Sequence, residues 1–278
     1  MKTNWHIISA SVAGKGHLIS GVPCQDANHW KILNKYWGIA VTADGAGSYV
    51  NSQIGSQYVS QNLIEVLKHE LSTEQWFKHH KLPDNNEWRE IAIKSIKQTL
   101  NNLKQYCLDY AIDVQTTGCT LNITVFSVDG ILTVHIGDGR ACYLNETDEW
   151  NSMIKPFKGE EVGSTVFITT EWIWEYPEIC IETNVVRSKI KAFVLMTDGM
   201  ESYTYFTYQK DDNGNYYDPN IPFKDFLNSN HKAIEQMVEK GMNEDEINQL
   251  WYEYLRTGNN LSEEYDDKTM LIGIFKSK

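Results

Sequence analysis

Three Asp-Gly steps, each at the end of an apolar run, constrain this chain more than any other feature. The runs read AVTADG up to Gly45, TVHIGDG up to Gly139 and AFVLMTDG up to Gly199. An acidic pair, Asp266-Asp267, stands just before a fourth apolar run, TMLIGIF. Short apolar runs of this kind predict buried strands. Carboxylates at the ends of several strands can converge and hold hard cations, so the sequence predicts a metal-dependent hydrolase.

A fourth Asp-Gly step in the same chain has a simpler explanation. Asp129-Gly130 lies between LNITVFSV and ILTVHIG, two runs rich in β-branched residues. This pattern is typical of a β-hairpin turn, in which the Asp needs no chemical role. Asp44 and Asp198 differ because the residues that follow them, GAGSY and GMES, do not begin another strand.

Composition excludes some classes of protein. The chain has 278 residues and a net charge of -12, so a nucleic-acid-binding surface, which needs clustered Lys and Arg, is not expected. The 5 cysteines form no C-x-x-C pair, and this favours a reducing, cytoplasmic location. No apolar stretch approaches the length of a membrane span, and the N-terminus lacks the apolar region of a signal peptide.

The hydrophobic pattern predicts an α+β protein with helices packed beside antiparallel strands. Strands are predicted at 5–12, 37–43, 119–128, 131–136, 140–145, 165–170, 192–197 and 269–275, with EWIWEY at 171–176 as an extension. Helices are predicted from Asn51 and at 87–108, 231–241 and 243–257. We expect one domain over 1–278, with a flap or insertion at about 200–231.

Six motifs in order carry a resemblance to a known family. They are GVPCQDA (21–27), TADGAGS (42–48), TTGCTLNIT (116–124), VHIGDGRAC (134–142), VLMTDGM (194–200) and YDDKTMLI (265–272). Together they resemble the metal-dependent serine/threonine protein phosphatases of type 2C, in a compact bacterial form, over nearly the whole chain. The resemblance implies a four-layered α-β-β-α sandwich of two antiparallel sheets, with the metal site at one edge.

The resemblance also implies roles for individual residues. Asp44 matches the carboxylate that bridges two metals, and Gly45 matches the residue whose backbone carbonyl binds one of them. Asp198 and Asp266, rather than Asp267, match the other two carboxylate ligands. Asp44, Asp198 and Asp266 are thus the expected catalytic residues.

Two further acidic residues have counterparts in the family. Asp138 matches the ligand of a third, weaker metal, and Asp26 matches a carboxylate that acts through water. Oxygen ligands alone favour Mg²⁺ or Mn²⁺. Two such ions can share a hydroxide that attacks the phosphorus of phosphoserine or phosphothreonine.

Three positions depart from the family pattern. Gly21 stands where many relatives have an Arg that holds the substrate phosphate, and Ala46 stands where many have a His proposed as general acid. Gln25 replaces an acidic residue. Lys15 and His17 are nearby candidates for the phosphate contact, and an ordinary loop role is an equal alternative.

These departures leave three functions open. The first is a phosphoprotein phosphatase, with a phosphorylated protein as substrate and a serine/threonine kinase as counterpart. The second is a non-catalytic type 2C-like member that binds metal and a partner. The third is a hydrolase of phosphorylated metabolites or nucleotides.

Elsewhere we expect Arg140 to pair with a local carboxylate, Lys268 to be an exposed strand-start residue, and the Tyr-rich stretch 203–217 to be either a substrate flap or a surface loop.

Overall fold

Two five-stranded antiparallel sheets form the centre of the protein. The computed structural model describes residues 4–159 and 165–276. In spatial order, the first sheet contains β1 (Trp5–Val12), β14 (Lys268–Phe275), β9 (Ile190–Met196), β6 (Arg140–Asn145) and β7 (Trp150–Ser152). The second sheet contains β2 (Ala27–Ile32), β3 (Gly38–Ala43), β4 (Leu121–Ser127), β5 (Gly130–Ile136) and β8 (Glu182–Val186).

Four long helices cover the outer faces of the two sheets. They are α2 (Ser52–Thr73), α4 (Asn85–Asp109), α7 (Lys224–Glu239) and α8 (Glu244–Thr257). Leu63 of α2 and Leu103 of α4 share one apolar cluster with the second sheet, whereas Ile234 of α7 and Trp251 of α8 share another with the first. A third cluster, which includes Phe193, fills the space between the sheets. The α-β-β-α sandwich predicted above is therefore confirmed.

Short elements complete the described chain. The short helices are α1 (Lys15–Ser20), α3 (Gln75–Lys78), α5 (Pro177–Cys180) and α6 (Glu201–Thr204). Two small strand pairs follow α6: β10 (Tyr205–Phe206) pairs with β13 (Ile221–Pro222), and β11 (Gln209–Lys210) pairs with β12 (Tyr216–Tyr217). The segment at about 200–231, predicted to be a flap or insertion, contains α6, these strands and the first half of α7.

The strand registers bring the polar ends of several strands to one end of the sandwich. Ala43, the last residue of β3, pairs with Ala27, the first of β2. Met196, the last residue of β9, pairs with Met270 of β14 and with Arg140, the first residue of β6. The residues just outside these strand ends are the acidic residues singled out from the sequence.

Most apolar runs form the predicted strands, and β1 and β6 have the predicted bounds. Every residue of β4 and β5 is buried, because a sheet covered on both faces has no solvent side. The strand predicted at 165–170 is wrong. Val166 and Ile168 are buried in the cluster beside α2 and α4. Ile168 N donates to the carbonyl of Cys119 and Ile168 O accepts from Trp174 Nε1, so neither bond belongs to a strand ladder. The EWIWEY extension is also wrong, since Glu171–Trp174 is a 3-10 helix.

The helix predictions err mainly at their boundaries. The start of α4 is fixed by a capping box, in which Asp84 accepts from Asn86 N and Glu87 N, and Glu87 accepts from Asp84 N. The helix predicted at 231–241 begins earlier, at Lys224, because Leu227 already packs into the core. None of the helices in the described ranges combines the length and apolar character needed to cross a bilayer.

Candidate metal centre

Three of the predicted carboxylates meet at one end of the sandwich. Asp44 follows β3, Asp138 lies between β5 and β6, and Asp198 follows β9. One carboxylate oxygen from each lies within 4.8 Å of the other two. Carboxylates this close repel one another when all are ionised. The arrangement thus suits a bound cation, and we call these three residues the carboxylate cluster.

Burial and mutual repulsion make ionisation of the cluster unfavourable in the metal-free protein. Burial, followed by the charges of Asp266 and Asp138, raises the pKa of Asp198 to about 7. Burial, followed by the charge of Glu201, raises the pKa of Asp138 to about 6. Burial also raises the pKa of Asp44 well above its usual value. A divalent cation would reverse these effects by favouring the charged carboxylates.

Several buried oxygens at this end of the sandwich have no hydrogen-bond donor among the described residues. They are Gln25 Oε1, Asp26 Oδ1 and Asp198 Oδ1. The second carboxylate oxygen of Asp26 accepts a 2.7 Å hydrogen bond from Thr197 Oγ1, and only 3% of Asp26 is exposed. Buried polar atoms without partners are costly, so these oxygens fit a site for cations and ordered water. Oxygen donors of this kind suit Mg²⁺ or Mn²⁺.

The adjacent residues Asp266 and Asp267 have different surroundings. Asp267 is 2% exposed, and its carboxylate accepts hydrogen bonds from Gly14 N at 2.8 Å and Gln25 N at 2.6 Å. It therefore ties residues 14–25 to the start of β14. Asp266 is exposed and stands beside the carboxylate cluster, where its charge raises the pKa of both Asp198 and Asp44. Asp266 Oδ1 accepts a 2.8 Å hydrogen bond from Asp267 N, which leaves its second carboxylate oxygen for a ligand, whereas both oxygens of Asp267 accept hydrogen bonds.

The two candidates for a phosphate contact already have partners. His17 Nδ1 lies 2.8 Å from Asp267 Oδ1, and Lys15 Nζ lies 2.5 Å from Glu263 Oε2. Gly21 is the left-handed C-cap of α1, with φ of 70°. Glycine adopts this conformation without strain, so the backbone explains why Arg is absent at this position.

Two other expectations about charged residues have opposite outcomes. Arg140 is fully buried and bonds to Asp218, Asn220 and Glu201, which confirms its pairing with local carboxylates. The prediction that Lys268 is exposed is wrong, because only 2% of it is accessible. Lys268 pairs with Val12 of β1, so the start of β14 lies inside the first sheet. Burial accordingly lowers the pKa of Lys268.

Two of the Asp-Gly glycines are required by close packing. A Cβ atom on Gly45 would lie 2.6 Å from the carbonyl oxygen of Gln25. On Gly199 it would lie 2.0 Å from the carbonyl oxygen of Asp267. Both contacts are closer than side chains tolerate, so glycine lets the segments that carry Asp26, Asp198 and Asp266 approach one another.

Sequence reasoning missed three residues that organise the site. Asp267 was passed over in favour of its neighbour. Thr197 donates to Asp26 and accepts a 3.0 Å hydrogen bond from Thr269 N, which joins β9 to β14 beside the site. Glu201 binds Arg140 and contributes negative charge near Asp138. The sequence offers only weak signals for them: Asp267 directly follows Asp266, Thr197 directly precedes Asp198, and Glu201 follows Asp198 by three residues.

Comparisons with known proteins concern the family and the fold of this chain. The model of the Protein phosphatase 2C family matches residues 13–245. The chain is 26% identical over 202 residues to Serine/threonine-protein phosphatase 3 of Escherichia coli (strain K12), covering 71% of this chain and 74% of that protein.

Solved structures share the fold at low identity. A serine-threonine phosphatase 2C from Toxoplasma gondii has a TM-score of 0.59 and 12% identity, covering 99% of this chain and 96% of that one. RsbX, solved in complex with magnesium, has a TM-score of 0.51 and 14% identity, covering 98% and 96%. Since the family model spans most of the sequence and the sandwich is the same, this chain belongs to the Protein phosphatase 2C family.

Proposed function

We propose that this protein is a metal-dependent phosphatase that hydrolyses phosphoserine and phosphothreonine in proteins. The observation that carries this proposal is the carboxylate cluster, with one oxygen from each of Asp44, Asp138 and Asp198 within 4.8 Å of the others. The cluster lies at the end of a sandwich whose family is established above. Since β1 near the start of the chain pairs with β14 near its end, we also propose a single catalytic domain over 1–278.

The proposed ligands are the residues that the sequence singled out. Asp44, Asp198 and Asp266 would supply carboxylate oxygens to two ions, and Gly45 would supply its backbone carbonyl. Asp138 would serve a third, weaker position. Asp26 is too buried to reach solvent, and its unpartnered Oδ1 supports a role through an ordered water.

Side chains around the proposed metal site hold its acidic residues in position. Mg²⁺ or Mn²⁺, when bound, would lower the pKa of water and offset the negative charge of the phosphoryl group. Thr197 fixes the orientation of Asp26 by donating to its Oδ2. Asp267 holds residues 14–25 in place, and so fixes Gln25 and Asp26 relative to Asp266.

Substrate phosphate would be held mainly by the cations. Gly21 offers no side chain for this task, and His17 and Lys15 are engaged by Asp267 and Glu263. A phosphate role for His17 and Lys15 stays a prediction. Their substitution is expected to affect KM more than kcat if they contribute to substrate binding.

The substrate, the counterpart kinase and the location of the enzyme are part of the same proposal. Its substrate would be a phosphorylated protein, and a serine/threonine kinase would supply that substrate. We also propose a cytoplasmic location, which the five unpaired cysteines support.

The test compares substrate classes under controlled metal. Release of phosphate from a phosphothreonine peptide, from para-nitrophenyl phosphate and from nucleotides is measured with Mn²⁺, with Mg²⁺ and with chelator. We expect metal-dependent turnover that is faster for the phosphopeptide than for nucleotides. Faster nucleotide turnover would support the metabolite-hydrolase alternative instead. Metal binding without turnover of any substrate would overturn the proposal in favour of a non-catalytic binding protein.

A further inference from the structure

The segment between α6 and α7 forms a small double hairpin, residues 205–222, which we call the Tyr-rich hairpin. Its base is the pair β10–β13, and its outer part is the pair β11–β12. The outer turn is ordered by Asp211, whose carboxylate accepts hydrogen bonds from Asn213 N and Asn215 N. The hairpin is therefore a structured projection.

Buried charges hold the base of the hairpin. The guanidinium of Arg140 bonds to Asp218 and, at 2.6 Å, to Asn220 Oδ1. Asn220 also donates to the carbonyl of Ile154 at 2.8 Å. Removing one partner from a buried, hydrogen-bonded charge is strongly unfavourable, so this base is firmly fixed to the sandwich.

The same contacts place the base beside the carboxylate cluster. Arg140 follows Asp138 by two residues, and its other carboxylate partner, Glu201, follows Asp198 by three. Lys158 bridges the two regions, with its Nζ 2.8 Å from Glu201 Oε1 and 3.4 Å from Asp218 Oδ2. Arg140, Glu201 and Lys158 therefore link the base of the hairpin to the segments that carry Asp138 and Asp198.

The outer part of the hairpin exposes aromatic rings. Tyr208 is 77% exposed, Tyr216 is 67% exposed and Tyr217 is 48% exposed. Large aromatic side chains at neighbouring exposed positions commonly mark interaction surfaces. The ring of Tyr216 already accepts a cation, because Lys210 Nζ lies 4.8 Å from its centroid. The hairpin thus displays cation binding at Tyr216, and the rings of Tyr208 and Tyr217 offer the same chemistry to a partner.

We propose that the Tyr-rich hairpin binds Arg or Lys residues that flank the phosphorylated residue of a polypeptide substrate. This proposal rests on the proposed phosphatase function and adds a substrate class to it. The charge of the protein favours basic partners, since 37 acidic residues outweigh 25 basic ones. Exposed Asp212, next to the ordered turn, adds a local negative charge.

The experiment compares three phosphothreonine peptides that differ only in their flanking residues: Arg, Ser or Glu. Both kcat/KM and the dissociation constant of fluorescein-labelled peptide are measured for wild-type protein and for Y208A/Y216A/Y217A. The matched control is Y252A/Y254A on α8, where both rings are also exposed. A third variant, Y208F/Y216F/Y217F, keeps the aromatic faces.

We expect wild-type protein to prefer the Arg-flanked peptide over the Glu-flanked peptide by about fivefold to tenfold, a scale set by a few exposed cation–π contacts. The triple Ala variant should reduce this preference to less than about twofold, while the α8 control and the triple Phe variant retain it. Turnover of para-nitrophenyl phosphate should be unchanged in all variants, because it has no flanking residues.

Two results would overturn the proposal: a wild-type protein without preference for the Arg-flanked peptide, or a triple Ala variant that keeps that preference. Failure of the phosphatase function itself looks different. In that case no substrate is turned over, and the binding measurements still decide whether the hairpin selects basic peptides.

Discussion

Asp266 and Asp267 are adjacent in sequence, but their substitution is expected to have different effects on the stability of the metal-free protein. Asp267 is buried and accepts two backbone hydrogen bonds, from Gly14 N and Gln25 N, besides its contact with His17. Asp266 is exposed and adds charge to a site that is already too negative. One residue is expected to stabilise the fold, and the other to serve the metal.

The size of the Asp267 effect follows from its contacts. A hydrogen bond to a charged group contributes about 1.5–3 kcal/mol, and a buried donor left unpaired costs a similar amount. Opening of residues 14–25 to water would recover part of this loss, so we expect Asp267→Ala to lower the free energy of unfolding by about 3 kcal/mol. Asp267→Asn retains one acceptor oxygen and should lose about 1–2 kcal/mol.

The matched substitution is Asp266→Asn, which removes charge without changing volume. In chelator it should not lower the free energy of unfolding, because repulsion with Asp198 and Asp44 is relieved. Saturating Mn²⁺ should stabilise wild-type protein and Asp267→Asn more than it stabilises Asp266→Asn, since a ligand that binds only the folded state stabilises it.

Urea unfolding with and without Mn²⁺ measures all of these quantities. An Asp267→Ala variant as stable as wild-type protein in chelator would contradict the structural role of Asp267. Destabilisation of Asp266→Asn to the same extent as Asp267→Ala would contradict the different roles of the two residues. If Mn²⁺ stabilised Asp266→Asn but not Asp267→Asn, then Asp267 rather than Asp266 would be the metal ligand.

Three further predictions concern the cluster and the hairpin. In chelator, the stability of the folded protein should fall as pH rises from about 4 to about 7. The pKa values of Asp138 and Asp198 in the folded protein are raised to about 6 and about 7, so the folded state binds more protons than the unfolded state in this window. A melting temperature that rises with pH across this window would contradict the prediction. Arg140→Met should free residues 205–222 from the sandwich, so limited proteolysis within that segment should be faster than in wild-type protein, and an unchanged cleavage rate would show that the anchor is dispensable. Asp138→Asn should weaken the weakest Mn²⁺ binding step in calorimetry and spare the tighter ones, whereas loss of all binding would place Asp138 among the principal ligands.

Much of the fold follows from local sequence because its strands are nearly continuous apolar runs. β1 and β6 have the bounds that their sequences predict. β2 was not predicted because its sequence, ANHWKI, lacks both alternation and an apolar run, and it becomes a strand by pairing with β3. Conversely, residues 165–170 look like a strand, but Val166, Ile168 and Thr169 are buried without strand partners, since burial and pairing are separate requirements.

The site shows the same division between local and distant information. Asp44, Asp138 and Asp198 could be identified because each ends or follows an apolar run, and strand ends meet at one end of a sandwich. The role of Asp267 depends on residues 253 and 242 positions away, Gly14 and Gln25, so no local pattern reveals it. Lys268 likewise has distant neighbours, since it pairs with Val12 of β1 and lies near Cys24 and Asp26.

The most direct test of the central claim is a Mn²⁺ titration of phosphate release from a phosphothreonine peptide by wild-type protein and by Asp44→Asn. We expect wild-type turnover to rise from zero in chelator to a plateau as Mn²⁺ is added. Asp44→Asn should lose at least about a hundredfold in kcat/KM and bind Mn²⁺ weakly. Its free energy of unfolding, measured with urea in chelator, should be no lower than that of wild-type protein. Turnover that is independent of Mn²⁺, or full activity in Asp44→Asn, would contradict the claim that these carboxylates hold the catalytic metals.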